Sequence, residues 1–312
     1  MKKTISLFLA LIVILSLCAC KSTEKENDDK LSVIAVLFAE YDLASHVSGG
    51  TADVTMLLPP GSESHSYDPT PQDIISIKNC DVFICGGGES DSWIDSVLSS
   101  VDSDNCAVIK MTEVCELKEE ETVEGMQEEK GEESDEEEYD EHVWTSPKNA
   151  VLILNEIERV FCEKDEKNAD AYRKNAQKYR YEIEELDREF QAVRKNAERD
   201  EIIFADRFPM RYFTDEYSLR YYAAFPGCSS EAEPSAKTVK FLIDKVREDR
   251  IPVVFTIEFS NKAIAYAIKD ETGAEILEFH SCHNVTKEQF ASGVSYISLM
   301  RQNLENLKEA LN

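Results

Sequence analysis

The chain has 312 residues, 42% of them hydrophobic and 31% charged, with 11 Gly and 9 Pro, which excludes a disordered or fibrous protein. Its 62 acidic against 34 basic residues give a formal charge of −28, a surface that repels nucleic-acid phosphates, and no basic patch offsets it. At roughly 100–200 residues per domain, the length allows two domains, each with its own core.

Lys2 and Lys3 followed by the apolar run Ile5–Leu17 read as a bacterial export signal over residues 1–19, too short to span a bilayer as a mature helix. The run ends in Leu17-Cys18-Ala19-Cys20, which resembles a lipobox. Cys20 is the expected lipidation site, so the chain is read as extracytoplasmic and anchored to the cell membrane by an N-terminal lipid. Residues 20–30 carry almost no apolar side chains and make a tether. From Leu31 short apolar runs alternate with amphipathic stretches. Strands are predicted at Leu31–Phe38, Val54–Leu58, Val82–Cys85 and Ala107–Lys110, with helices at Tyr41–Val47, Thr70–Lys78 and Asp91–Ser99. Residues 116–141 hold fifteen Asp or Glu against two Lys and read as a disordered, solvated acidic loop.

Two helices follow, over Pro147–Cys162 and Asn168–Arg199. The second has Tyr172, Ala176, Tyr179, Ile183, Leu186 and Phe190 at spacings of three and four, and would reach about 48 Å at 1.5 Å per residue. A second alternating series has strands at Ile202–Ala205, Tyr221–Phe225, Val253–Ile257 and Ile276–Phe279. Its helices are predicted at Arg211–Tyr217, Ala236–Arg247, Lys262–Glu271 and Lys287–Leu311. The expected architecture is α/β, two lobes with parallel sheets at 31–165 and 201–312, joined by one long connecting helix at 166–200.

Beyond Cys18 and Cys20, seven cysteines remain: Cys80, Cys85, Cys106, Cys115, Cys162, Cys228 and Cys282. The count is odd, no Cys-x-x-Cys occurs, and pairing cannot be deduced from sequence. The five histidines are more telling. His65 lies in a Pro-rich loop after the strand Val54–Leu58, His142 follows the acidic loop, and His280 follows the strand Ile276–Phe279. Asp206 follows Ile202–Ala205. Ligands of open α/β sheets sit at such strand ends, so these four residues together point to a metal site in an interlobe cleft. His46, on a helix beside Val47, reads as structural.

The lipobox, the Pro-Gly-x-x-x-His-x-Tyr-x-Pro-Thr-Pro run at 60–71, the acidic insertion, the His-Val-Trp-x-x-Pro-Lys-Asn-Ala run at 142–150 and the long connector are similar to the zinc and manganese solute-binding lipoproteins of bacterial ABC importers (cluster A-I). The resemblance implies two Rossmann-like lobes holding a single divalent cation, and partnership of a monomer with an ABC permease and its ATPase. Under it His65 and His142 map onto family ligands. Asp206 stands where zinc-binding members usually have His, and His280 where the family usually has Asp. His283, in His-Ser-Cys-His, is an alternative to His280, and Glu258 is a candidate partner fixing an imidazole tautomer. Three imidazoles and one carboxylate suit Zn²⁺ better than Mn²⁺. A zinc hydrolase is the rival from another class, but no His-Glu-x-x-His occurs and four protein ligands leave no open position. A surface adhesin is the other rival. The rigid connector implies modest lobe tilting, with the loops carrying Asp206 and His280 differing between bound and empty states.

Overall fold

The structure is a computed structural model describing residues 30–63, 67–88, 92–99, 105–127, 139–227, 229 and 234–312. The expected signal segment, Cys20, nearly all of the tether, His65, residues 128–138 of the acidic segment and Cys228 lie outside the described residues. Among the described residues no helix is long and apolar enough to cross a membrane.

The first lobe runs β1 (Ser32–Ala35), α1 (Phe38–Ser48), β2 (Asp53–Met56), α2 (Pro71–Lys78), β3 (Val82–Cys85), α3 (Ser92–Leu98), β4 (Ala107–Lys110) and α4 (Met111–Val114). Its strands are all parallel, in the order β2-β1-β3-β4. Every residue of β3 is buried, as a continuous apolar run requires of an inner parallel strand. The strand expected over Leu31–Phe38 stops at Ala35; Val36 N–H still donates to the Ile84 carbonyl at 3.1 Å, but it and the next amide are also gathered by Glu40. Its Oε2 accepts from Val36 N at 2.7 Å and Leu37 N at 2.9 Å, which caps α1. Thr70 and Asp73 cap α2 reciprocally, with Pro71 at its first position.

α5 (Pro147–Lys164) leads into α6 (Ala169–Asn196), whose 28 residues span about 42 Å. The apolar stripe read from the sequence is its buried face. On the first lobe the Tyr179 hydroxyl donates to Asp42 Oδ2 and Asn175 Nδ2 donates to the Val47 carbonyl. The second lobe runs β5 (Glu201–Phe208), α7 (Arg211–Glu216), β6 (Arg220–Pro226), α8 (Ala236–Asp249), β7 (Val253–Thr256), α9 (Ala263–Thr272), β8 (Glu275–Glu278), α10 (Lys287–Ala291) and α11 (Tyr296–Leu311). Its parallel order β6-β5-β7-β8 repeats that of the first lobe. α6 meets this lobe too: Tyr217 donates to Asp187 at 2.9 Å and Phe190 packs edge-on against Phe213. In each sheet the chain reverses direction beside its first strand, and the carboxyl ends of β1/β3 and β5/β7 open a crevice there. One apolar cluster continues from β1 and β3 through α5 and α6 to Phe204, Phe255, Phe279 and α11. A second covers the other face of the β5–β8 sheet.

Two expectations are corrected. The helix expected over Lys287–Leu311 is two helices, because Gly293 sits at φ 74° and Ser295 starts a new capping box with Ser298. Residues 116–141 are not a solvated loop at their described ends. Met126, Asp140 and Glu141 are buried, Gln127 N–H donates to the Ala224 carbonyl at 2.9 Å, and the Tyr212 hydroxyl donates to the Asp140 carbonyl at 2.6 Å.

Candidate metal centre

The segment after β8 crosses to the first lobe and is fastened there by its backbone. Phe38 N–H, at the start of α1, donates to the His283 carbonyl at 2.8 Å, and Ala39 N–H to that of Cys282 at 3.2 Å. Trp144 Nε1 donates to the Ser281 carbonyl at 2.9 Å, and Asn284 Nδ2 donates to the carbonyls of Pro59 and Ser62. The turn needs Cys282 at φ 64°, a left-handed conformation that an L-residue holds only where its surroundings determine it.

That turn gives the two neighbouring imidazoles opposite tautomers. Cys282 N–H donates to His280 Nδ1 at 2.9 Å, so the neutral His280 ring carries its proton on Nε2. Asn303 brackets the His280 backbone, accepting from its N–H at 2.7 Å and donating to its carbonyl at 2.8 Å. At His283 the order is reversed. The Ser281 hydroxyl is donated to Glu258 Oε1, so Ser281 Oγ accepts from His283 Nδ1 across 2.6 Å, which leaves the lone pair on Nε2. Glu258 Oε2 also accepts from Ser281 N at 2.8 Å. Glu258 thus reaches His283 through the Ser281 hydroxyl, and its Oε2 also stands 3.7 Å from His280 Nδ1.

His142 is fully buried after the acidic segment and has the same polarity as His283. Asp140 Oδ1 accepts from both its N–H at 2.8 Å and its Nδ1 at 3.0 Å, again leaving the lone pair on Nε2. Burial pulls the His142 pKa down, but Asp140, Glu141 and Glu120 outweigh it and hold it above the ordinary value. The rings of His142 and His283 meet edge-on with centroids 4.7 Å apart, and His283 stands edge-on to Trp144 at 5.0 Å. Gly227, at the end of β6, lets the second lobe close on His142. A Cβ there would stand 3.0 Å from the ring Cε1 and 3.0 Å from the Phe208 carbonyl.

Asp206 lies where the β5–β6 register shifts, between Phe204 and Arg207. One carboxylate oxygen accepts from Arg207 N at 2.9 Å; the other, Oδ2, is buried and has no hydrogen-bond partner among the described residues. Burial raises its pKa, against the lowering effect of Ser260 and nearby backbone. A carboxylate oxygen removed from water is costly unless a hydrogen bond or a cation pairs it. Beside it Arg207 reaches across to Glu63 of the first lobe with a double contact at 3.1 and 3.3 Å. The cleft between the lobes is lined by Ser62, Glu63, Arg207, Gly227, Glu258 and His283. Among the described residues His142 and His283 are in ring contact, while no group of three or more His, Cys, Asp or Glu forms a ready metal cluster. His280 and Asp206 therefore do not join His142 in such a group, and His65 is outside the described residues. His46 is remote from these groups in role, stacked on Tyr179 with centroids 3.8 Å apart.

The family model described as zinc-uptake complex component A, periplasmic (ZnuA), matches residues 33–310. The chain belongs to the ZnuA family. Among ZnuA-family relatives, the zinc-binding lipoprotein AdcA of Streptococcus pneumoniae is 29% identical over 308 residues, covering 98% of this chain and 61% of the relative. The chain thus spans about three fifths of the length of the AdcA relatives it matches. The high-affinity zinc uptake system protein ZnuA of Bacillus subtilis is 27% identical over 320 residues, covering 99% of this chain and 98% of the relative. The Zn(II)-bound ZnuA-like domain of Streptococcus pneumoniae AdcA superposes with a TM-score of 0.75 at 25% identity, covering 90% of this chain and 99% of that one. The two-lobed α/β architecture expected from the sequence is the fold of this family.

Proposed function

We propose that the chain is the extracytoplasmic zinc-binding component of an ABC importer, tethered through a lipid on Cys20, and that it presents its cargo ion to a permease and its ATPase. The ion is held by His65, His142, Asp206 and His283. The observation that carries this reading is the His142–His283 pair, two buried imidazoles in contact, each with Nδ1 committed to an acceptor and its lone pair on Nε2. His283 takes the position first given to His280, because a metal on His280 Nε2 would have to displace a ring proton while Nδ1 is held by Cys282 N–H. Asp206 supplies the carboxylate, and His65 enters on its sequence motif alone. Three neutral imidazoles and one carboxylate favour Zn²⁺ over the more oxygen-seeking Mn²⁺. Four protein donors leave no position for an activated water, which argues for binding and delivery rather than hydrolysis.

Competition titration with a chromophoric chelator tests the ligand set. The mature protein is expected to bind one zinc ion per chain. His283→Ala should weaken affinity by two or more orders of magnitude, in line with losing one of four donors, and His280→Ala by no more than severalfold. Equal losses, or the reverse order, would overturn the assignment. Cys20→Ala should release the protein from the membrane fraction without altering its zinc affinity.

A further inference from the structure

Far from the carboxyl ends of the strands, two cysteines meet at the opposite end of the first sheet. Parallel pairing sets Val82 of β3 beside Ala107 of β4, and Ala107 N–H donates to the Asp81 carbonyl at 2.9 Å. Cys80 and Cys106, each just before its strand, are thereby brought together although 26 residues apart in sequence. Their sulfurs lie 3.6 Å apart and both residues are buried. Adjacent strands run about 4.7–4.9 Å apart, within the range of Cα separations that a disulfide bridges, so side-chain rotation alone can close the gap. The Lys164 ammonium, in the last turn of α5, donates to the Asn105 carbonyl at 3.0 Å, next to Cys106. The contact between the two sulfurs, together with the Lys164 charge, lowers the Cys106 pKa against the effect of burial, while Cys80 is pushed up by the same contact. β4 is an edge strand, so its start can open to a reagent without unfolding the sheet.

We propose that Cys80 and Cys106 are an oxidation site that closes to a disulfide by exchange with a small-molecule or protein disulfide. The Cys106 thiolate attacks one sulfur of the oxidant, whose other sulfur leaves as a thiolate. Cys80, losing its proton to solvent, then attacks Cys106 Sγ and expels the second oxidant thiolate. The two cysteines are oxidised by two electrons, the oxidant disulfide is reduced to two thiols, and the two protons given up by the cysteines balance those thiols. The bridge ties the start of β3 to the start of β4 around α3 and restricts the unfolded chain. Its formation in cells rests on the extracytoplasmic reading under Proposed function; its chemistry does not.

The test is a peptide mass map of the mature, full-length protein after equilibration with glutathione disulfide at an oxidising poise, denaturation and alkylation. The Cys80 and Cys106 peptides should be recovered joined and unalkylated, and Cys80→Ser or Cys80→Ala should abolish the joined species. Oxidised wild type should melt a few degrees above reduced wild type, a difference the variants lack. Zinc affinity should stay within severalfold between the two forms. Both cysteines alkylated at every poise, or Cys106 joined to another cysteine, would overturn the proposal, and the wild-type map reads this even if a variant fails to fold. The same map on protein taken from cells without reductant separates the two readings. A bridge that forms in vitro and is absent from cells supports the pair and counts against export.

Discussion

Two histidines separated by two residues are held in opposite tautomers by a single hydroxyl and a single amide. The Ser281 hydroxyl relays Glu258 to His283, whereas the Cys282 amide occupies His280 from the other side. Ser281→Ala should therefore weaken zinc binding about 10–100-fold, the usual cost of losing an outer hydrogen bond to a ligating imidazole, while leaving the melting temperature nearly unchanged. Competition titration beside thermal denaturation checks both halves. The sequence reading preferred His280 and kept His283 as the alternate, since the contacts that set the two rings apart come from Glu258, in the turn after β7, and from the turn geometry at Cys282, neither of which a spacing reveals. His46 was legible as structural. Burial works to lower its pKa, but hydrogen bonding and charge from Asp42 outweigh burial and leave it raised above the ordinary histidine value. A raised folded value means that protonation stabilises the fold below the unfolded pKa, and that this contribution is lost as pH rises through the folded one. Wild type should lose more stability than His46→Gln between about pH 6 and about pH 8 in urea denaturation; parallel profiles would remove the Asp42–His46 interaction from the account.

At the scale of elements, legibility follows how local the cause is. β3 and β4 were read with their observed limits because apolar runs end at polar or glycine residues, Asp81 and Gly86 among them. The face of α6 was read from its spacing, since a stripe of three- and four-residue steps admits one buried side. The break between α10 and α11 was missed although Gly293 and Ser295 were available as a stop and a start signal. The acidic segment misled through its average charge: Val123 and Met126 lie within it, and the apolar cluster takes them in. α6 also carries a buried polar link whose value can be measured. Tyr179 donates to Asp42, whose side chain is only 5% exposed. Tyr179→Phe should destabilise the protein by about 1–3 kcal/mol, the cost of a buried acceptor losing a donor, because water cannot replace the phenol there. Urea denaturation reads the loss, and an unchanged zinc affinity would place the effect in the connector rather than in the metal centre.

For the whole molecule, the number and kind of links between lobes decide how it can move. α6 packs on both lobes, one apolar cluster runs through both, and the residues 282–285 accept amide hydrogen bonds from Phe38, Ala39 and Gly61 of the first lobe. A wide hinge opening would have to break these together and expose core surface. The sequence reading expected the loop around His280 to differ between bound and empty states, but its continuation is fastened by backbone to the lobe that carries His142. The contact best able to open is the Arg207–Glu63 pair, since both side chains reach solvent, at 21% and 39% exposure, and such pairs hold about 0–1 kcal/mol. Zinc should accordingly bring a small change in the radius measured by solution scattering. Hydrogen exchange should slow around 206–209, where Asp206 and Arg207 gain a bound cation nearby, while the amides of Phe38 and Ala39 stay protected with and without the metal. A closure like that of a two-hinge binding protein, or fast exchange at Phe38 and Ala39 in the metal-free protein, would mean that the 282–285 segment belongs to the moving part. Recognition of the loaded state by a permease would then have to depend on rotation of a lobe rather than on the strand end beside Glu63.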